Sequence, residues 1–407
     1  MDMSGAWKAD RKGGQMGKAL VSDNKFAADE IRFIIGISFI LGLRQFGMML
    51  VMPFLSVYGM TLSGASSALV GISLGIYALT QGCLQVPYGI ISDRIGRKPV
   101  VIFGILLQIA GFILAFKAKS IQLLIFARAL QGSGAINSVA LSWVGDRFCA
   151  FKGSRAMRMI STVSSVAIAL SLICGTIIQR LISIPQIFLL CVGLSALAFL
   201  YLVFVLREGV KAAPELKTKE WTESRDALRN AVVNKPLLRL YVTGFIANFM
   251  LTGVFFIMPH IAGSSSGMDS LKTLLIAIPV IIIAMRIANS YADKGKYSLV
   301  QIVIFSTFTL SVPCLFLRST IINSVSIIIF FAGIMCQYYL ITAGVNQLAD
   351  KRYRATVNGV SNTIGFTGSF LGGVVTGVFW DVGFTATMSM LAAACLLGLA
   401  AVCTGLK

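Results

Sequence analysis

Acidic side chains are the first shortage. The 407-residue chain has 16 Asp and Glu against 35 Lys and Arg, and 13% of its residues are charged, where a soluble domain carries about 25%. With 57% hydrophobic residues and a mean hydropathy of +0.84, this excludes a soluble globule and marks an integral membrane protein. Histidine is nearly missing, His260 being the one example. Cys83, Cys149, Cys174, Cys191, Cys314, Cys336, Cys395 and Cys403 stand apart, with no CxxC and no Cys/His cluster. Neither a metal nor a disulfide is expected, and most of these thiols sit in apolar runs as small hydrophobes. A G-x-x-x-x-G-K-[ST] loop is absent, which argues against ATP as a drive. With no nucleophile–base pair either, an enzyme is not expected, nor any cofactor.

Long apolar runs fill the chain. Stretches able to cross a bilayer, at about 20 residues each, lie near 31–58, 66–91, 99–117, 121–146, 157–179 and 185–206. Six more lie near 240–260, 270–291, 298–317, 321–349, 355–379 and 384–404. The expected architecture is all-α: twelve transmembrane helices in two six-helix halves, 31–206 and 240–407. Residues 1–30 are polar, without the apolar core of a signal peptide, and read as a cytoplasmic tail. Residues 207–239 carry both charge signs and read as a cytoplasmic linker, partly an amphipathic helix around 221–233.

A net charge of +19 raises the question of nucleic acid, but its placement answers differently. When the spans alternate sides, Lys117, Lys119, Arg180, Lys272 and Arg318 fall on one side, and Arg44 and Arg128 fall well inside spans. All other Lys and Arg gather with the termini. Positive charge concentrates on the cytoplasmic side of membrane proteins, so both termini are expected there. The charge reports topology, and nucleic acid is not an expected partner.

One polar break stands out, Gly89-Ile-Ile-Ser-Asp93-Arg94-Ile-Gly96-Arg97-Lys98. It is too charged to lie in lipid and is expected to form a tight turn at the membrane surface. Gly89 permits close helix approach, Gly96 a backbone conformation that a Cβ would penalise, and Pro99 suits the first turn of the next helix. Ser290-Tyr-Ala-Asp293-Lys294-Gly295-Lys296 echoes it in the second half. Asp146, with Arg147, Lys152, Arg155 and Arg158 behind it, has a counterpart in Asp350 with Lys351, Arg352 and Arg354. Two halves of one pattern suit a transporter that rocks about a central site.

The break matches at every defined position the signature loop of the major facilitator superfamily, G-x-[LI]-[AS]-D-[RK]-x-G-[RK]-[RK]. Arg128-Ala-Leu-Gln131-Gly132-Ser-Gly134-Ala resembles the family's fourth-span motif. From Arg44 through Pro53, Tyr77, Gln81 and Pro87 to Ile136, the landmarks resemble the proton-coupled, drug-efflux-like branch, most closely over 31–160. The resemblance implies a secondary transporter moving a small organic solute by alternating access, outward and in exchange for protons, in a bacterial inner membrane. It further implies a conformational switch of Gly89, Asp93, Arg94, Gly96, Arg97 and Lys98 with Asp146 at the end of the fourth span. The chain ends soon after its last span and is expected to lack the small cytosolic domain found in that branch.

Two departures bear on mechanism. Of the branch's fifth-span glycine ladder, which ends Gly-Pro-x-x-Gly-Gly, only Gly175 is present. No Asp or Glu falls within the middle of a span, so a proton, if it is the coupling ion, has no carboxylate carrier in view. Arg44 and Arg128 without a neighbouring acid suggest the alternative of an anion-selective importer or exchanger that binds a carboxylate or phosphate. Gln45, Tyr77, Gln81, Gln131 and Asn137 from the first half, with Asn248, Gln337, Tyr338, Asn346 and Asn362 from the second, are candidates to line a wet path. Glycines at 365, 368, 372, 373 and 377 suggest a packing face on the eleventh span. A small molecule and membrane lipid are the expected partners, and one chain holds a complete pathway, so a monomer is expected.

Overall fold

The computed structural model describes residues 26–148, 150–206, 235–262, 267–294, 296–317, 319–348 and 354–404. The proposed linker helix, most of the tail, Gly295 and the 350–352 charges lie outside them. The described residues are almost all helical, and their one β feature is an isolated bridge between Ser63 and Ser120. This follows from the solvent: hydrocarbon offers backbone N–H and C=O groups no partner, and a helix pairs them all within one segment.

The first span is α1 (Ala28–Val51), a 3₁₀ turn at Met52–Phe54 that contains Pro53, and α2 (Leu55–Met60). Then come α3 (Ser67–Ile95), α4 (Arg97–Phe116), α5 (Ile121–Ser133), α6 (Asn137–Arg147), α7 (Ala150–Leu181) and α8 (Ile184–Phe204). The second set is α9 (Lys235–Ala262), α10 (Gly267–Asp293), α11 (Tyr297–Cys314), α12 (Thr320–Leu348), α13 (Arg354–Val382) and α14 (Phe384–Cys403). Ten of these segments are long and apolar enough to cross a membrane, and Ile276–Ala292 of α10 is a shorter one. The pair α5–α6 completes twelve crossings. Helix α9 begins at Lys235, inside the stretch read as linker.

Three features differ from the sequence reading. The polar break is almost entirely helical: α3 runs to Ile95 and α4 starts at Arg97, leaving Gly96 alone as the turn. Its φ of 107° is a conformation that only glycine adopts without strain. The fourth span is two helices, interrupted at Gly134–Ile136. Span α5 lies so close to its neighbours that a Cβ on Gly132 would collide with the Tyr77 carbonyl and the Thr80 hydroxyl. Finally, the glycines of α13 make two packing faces rather than one. Gly368 and Gly372 lie on the backbone of Phe245 and Phe249 in α9, while Gly373 and Gly377 lie on Gly71 and Ser67 of α3.

Helix α1 packs on α7 and α8, α3 on α5, and α4 on α5 and α8. Helix α9 packs on α12, α13 and α14, α10 on α12, and α11 on α12 and α14. The main seam between the two sets joins α3 to α13, with α2 against α9 and α7 against α10 beside it. Along that seam, a Cβ on Gly71 would strike the Gly373 carbonyl, and one on Gly75 the backbone of Phe370. One on Gly82 would lie 3.2 Å from the Phe366 Cβ. Continuing in the same heptad register, Gly89 on α3 and Gly359 on α13 have nothing within 4 Å among the described residues. Among the described residues, the two sets of helices therefore close tightly at the Ser67 end of this seam and part toward its Gly96 end.

Candidate functional site

Two polar constellations and one charged one occupy the bundle. The charged one sits at the Gly96 turn. Because α3 continues as a helix to Ile95, Asp93 and Arg97 are brought within a turn of each other across Gly96. The Arg97 guanidinium reaches Asp93 Oδ1 at 2.6 Å and Asp146 Oδ2 at 2.8 Å, and donates to the Ser92 hydroxyl at 2.6 Å. The last turns of α3 and α6 and the first turn of α4 are thus tied at one cation. The carrier of Asp146 is held in turn by α1: Phe33 meets Trp143 edge-on at 5.4 Å, and Arg147 covers the Phe33 ring at 4.5 Å. Arg94 is exposed on the last turn of α3.

Lys98 goes elsewhere. Its Nζ donates to Val203 O at 3.0 Å and Leu206 O at 2.6 Å, the carbonyls that the end of α8 leaves unpaired. A cation at a helix C-terminus also meets the negative end of the macrodipole. Sequence reasoning grouped Lys98 with the switch charges because the motif is contiguous. In space it anchors the exit of α8, while Arg97 joins the two carboxylates.

The first buried constellation surrounds Arg44. Its Nη1 donates to Asn137 Oδ1 at 3.1 Å, and its Nη2 to Gln81 Oε1 at 2.9 Å and the Tyr77 hydroxyl at 3.3 Å. Arg44 is 3% exposed, and its Nε–H has no partner among the described residues. Arg128 also meets Tyr77, its guanidinium lying over the ring at 5.1 Å from the centroid. It is fully enclosed: Nε donates to Ser73 O at 3.3 Å, Nη1 to Gln131 Oε1 at 2.7 Å and Nη2 to the Met52 sulfur at 3.2 Å. Among the described residues neither arginine meets a carboxylate. Gln45, one residue along α1, is half-buried on another face and makes no side-chain bond among the described residues.

The second constellation centres on Asn248 of α9. Its Oδ1 accepts from the Tyr338 hydroxyl at 2.7 Å and from Ser369 at 3.4 Å, and its Nδ2 donates to Gly244 O at 2.9 Å. Gln337, the neighbour of Tyr338 in sequence, is fully buried, and both of its amide atoms lack partners among the described residues. Asn362 is exposed, and the Asn346 side chain lies outside the described residues. Three participants escaped sequence reasoning: Ser73, Met52 and Ser369. A backbone carbonyl, a thioether and a serine in an apolar run carry no signal of their own. No group of three or more His, Cys, Asp or Glu able to hold a metal occurs among the described residues.

With this geometry in hand, comparison with known proteins is informative. A family model, Major Facilitator Superfamily, matches residues 37–373. The inner membrane transport protein YajR of Escherichia coli K12 is 28% identical over 391 residues, covering 92% of this chain and 84% of YajR. The multidrug resistance protein MdtL of Shewanella sp. ANA-3 is 28% identical over 152 residues, 37% of this chain and 38% of MdtL. Among solved structures, a point mutant of the nucleoside transporter NupG superimposes with a TM-score of 0.74 at 14% identity, covering 92% of this chain and 100% of that one.

Proposed function

The chain belongs to the Major Facilitator Superfamily, and from that premise we propose that it exports a small organic solute by alternating access, in exchange for protons, from a bacterial inner membrane with both termini cytoplasmic. The observation that carries alternating access is the α3–α13 seam. It is closed from Ser67 to Phe366 and open at Gly89 and Gly359, although small residues continue on both helices. With the Gly96 turn on the cytoplasmic side, as the distribution of Lys and Arg argues, this is an inward-facing state.

The charged set at Asp93, Arg97 and Asp146 is the element that the two states bias in this reading. Three charges tied at 2.6–2.8 Å hold α3, α4 and α6 together, and the carboxylates lie where α13 begins its approach to α3 on closure. A carboxylate near the start of α13 would favour the positive end of that helix. Outward direction rests on the kinship with MdtL, whose name is that of a multidrug resistance protein. Every described Asp and Glu sits at a helix end, so a transported proton would be carried there rather than by a mid-membrane carboxylate. A monomer suffices, since α1–α14 enclose both polar constellations.

Proteoliposomes loaded with a pH dye test the coupling. Export of succinate from the vesicles should move protons the opposite way, and solute flux that leaves the internal pH unchanged refutes exchange. A second reading, an anion-selective importer or exchanger, is favoured by one observation: Arg44 and Arg128 both meet Tyr77 with no described carboxylate beside them.

A further inference from the structure

We infer that Arg44, Tyr77, Gln81 and Asn137, at the start of α6, form a socket that offers only hydrogen-bond donors, and that it takes the carboxylate or phosphate group of the transported solute. The inference deepens the transport reading above and rests on it.

The argument begins with amide orientation. A guanidinium has five N–H donors and no acceptor. Gln81 and Asn137 must therefore turn their carbonyl oxygens to Arg44, as the bonds to Oε1 and Oδ1 show. Their NH2 groups point away from it and have no partner among the described residues. The Tyr77 hydroxyl accepts from Arg44 and retains its own proton for donation. The Arg44 Nε–H is buried and unpaired. What this set lacks is an acceptor.

The helix break adds a second, independent contribution. Asn137 is the first residue of α6, so the interruption at Gly134–Ile136 brings a helix N-terminus into the fourth span beside Arg44. The first N–H groups of a helix have no intrahelical acceptor, and its dipole there is positive. Arg128 supplies another positive charge over the Tyr77 ring, and its own donors are taken by Ser73, Gln131 and Met52. Two guanidiniums and a helix N-terminus therefore converge with no described carboxylate to balance them. Discontinuous membrane helices bind anionic substrate groups with such half-helix N-termini. The roles of the two arginines also separate: Arg44 has a donor left for the ligand, and Arg128 acts from behind the wall.

The test is a thermal-shift titration of the purified full chain with benzoate, succinate, methylphosphonate and tetraphenylphosphonium. At least one anion should stabilise the wild type, the carboxylate and phosphonate arms showing which group is preferred, and tetraphenylphosphonium should not. Arg44→Gln should weaken that anion at least tenfold. Asn137→Asp is the companion variant, since it supplies the missing carboxylate beside Arg44. It should keep the fold at wild-type stability or above and abolish anion stabilisation. The inference is overturned if no anion stabilises the wild type, if Arg44→Gln binds anions unchanged, or if Asn137→Asp retains them. Counterflow of the same anion in proteoliposomes separates the two levels. Arg44-dependent binding without flux keeps the socket and removes the transport reading; flux with Arg44-independent binding does the reverse.

Discussion

Adding a single methyl group at Gly71 should move this protein between its two states. A Cβ there would strike the Gly373 carbonyl oxygen, and Gly373 in turn lies on the Gly71 backbone. Neither neighbour is a flexible side chain, so relief requires the helices to separate. Overpacking of this kind costs about 1–3 kcal/mol. The gain in helix propensity of Ala over Gly, about 1 kcal/mol, applies to both states and cancels. A net penalty of about 2 kcal/mol would lower the population of the observed state about thirtyfold relative to its alternative, at tenfold for each 1.4 kcal/mol. At Gly89 the same substitution meets nothing within 4 Å among the described residues. It is free in this state and obstructs only a state in which the Gly89 end closes. Gly71→Ala and Gly89→Ala should therefore both slow solute flux while shifting the equilibrium in opposite directions. The assay is the labelling rate of a cysteine introduced at Gly359 in a background without the native cysteines, using a membrane-impermeant thiol reagent applied from the Gly96 side. Labelling should fall in Gly71→Ala and be maintained or rise in Gly89→Ala. Equal labelling in both, with flux intact, would refute the reasoning that the seam sets access.

Three further outcomes follow from the same geometry. Asp93→Asn removes one of the two charges held by Arg97 and should reduce turnover in proteoliposomes without loss of expression; full activity would show that the charge set is not part of the cycle. Lys98→Met leaves the carbonyls of Val203, in the last turn of α8, and of Leu206, just beyond it, without their cation and should lower thermal stability by about 1 kcal/mol, an unchanged melting curve being the contrary result. Arg128→Lys keeps the charge but replaces a fork with a point donor that cannot serve Ser73, Gln131 and Met52 together. It should destabilise the fold by about 2 kcal/mol in thermal unfolding, and a stable Lys variant would mean that charge alone is needed there.

Much of this molecule is dictated locally and so could be read from its residues. Twelve apolar runs become helices because hydrocarbon allows no other pairing of their backbones, and the gathering of Lys and Arg follows from the same membrane. The grouping of Asp93, Arg97 and Asp146 follows from the resemblance of the signature loop, and the structure ties them together. What sequence could not decide was which partner each charge takes. Arg44 and Arg128 look alike as arginines within spans, yet one keeps an unpaired donor and the other is sealed on all sides. Arg97 and Lys98 are adjacent in the chain, but they point to different helices. The glycines of α13 face two neighbours, and the break before Asn137 turns the fourth span into two helices. Composition and period fix which segments are helices. The direction of a side chain depends on the rotation and crossing of helices far apart in sequence, and only their packing sets that.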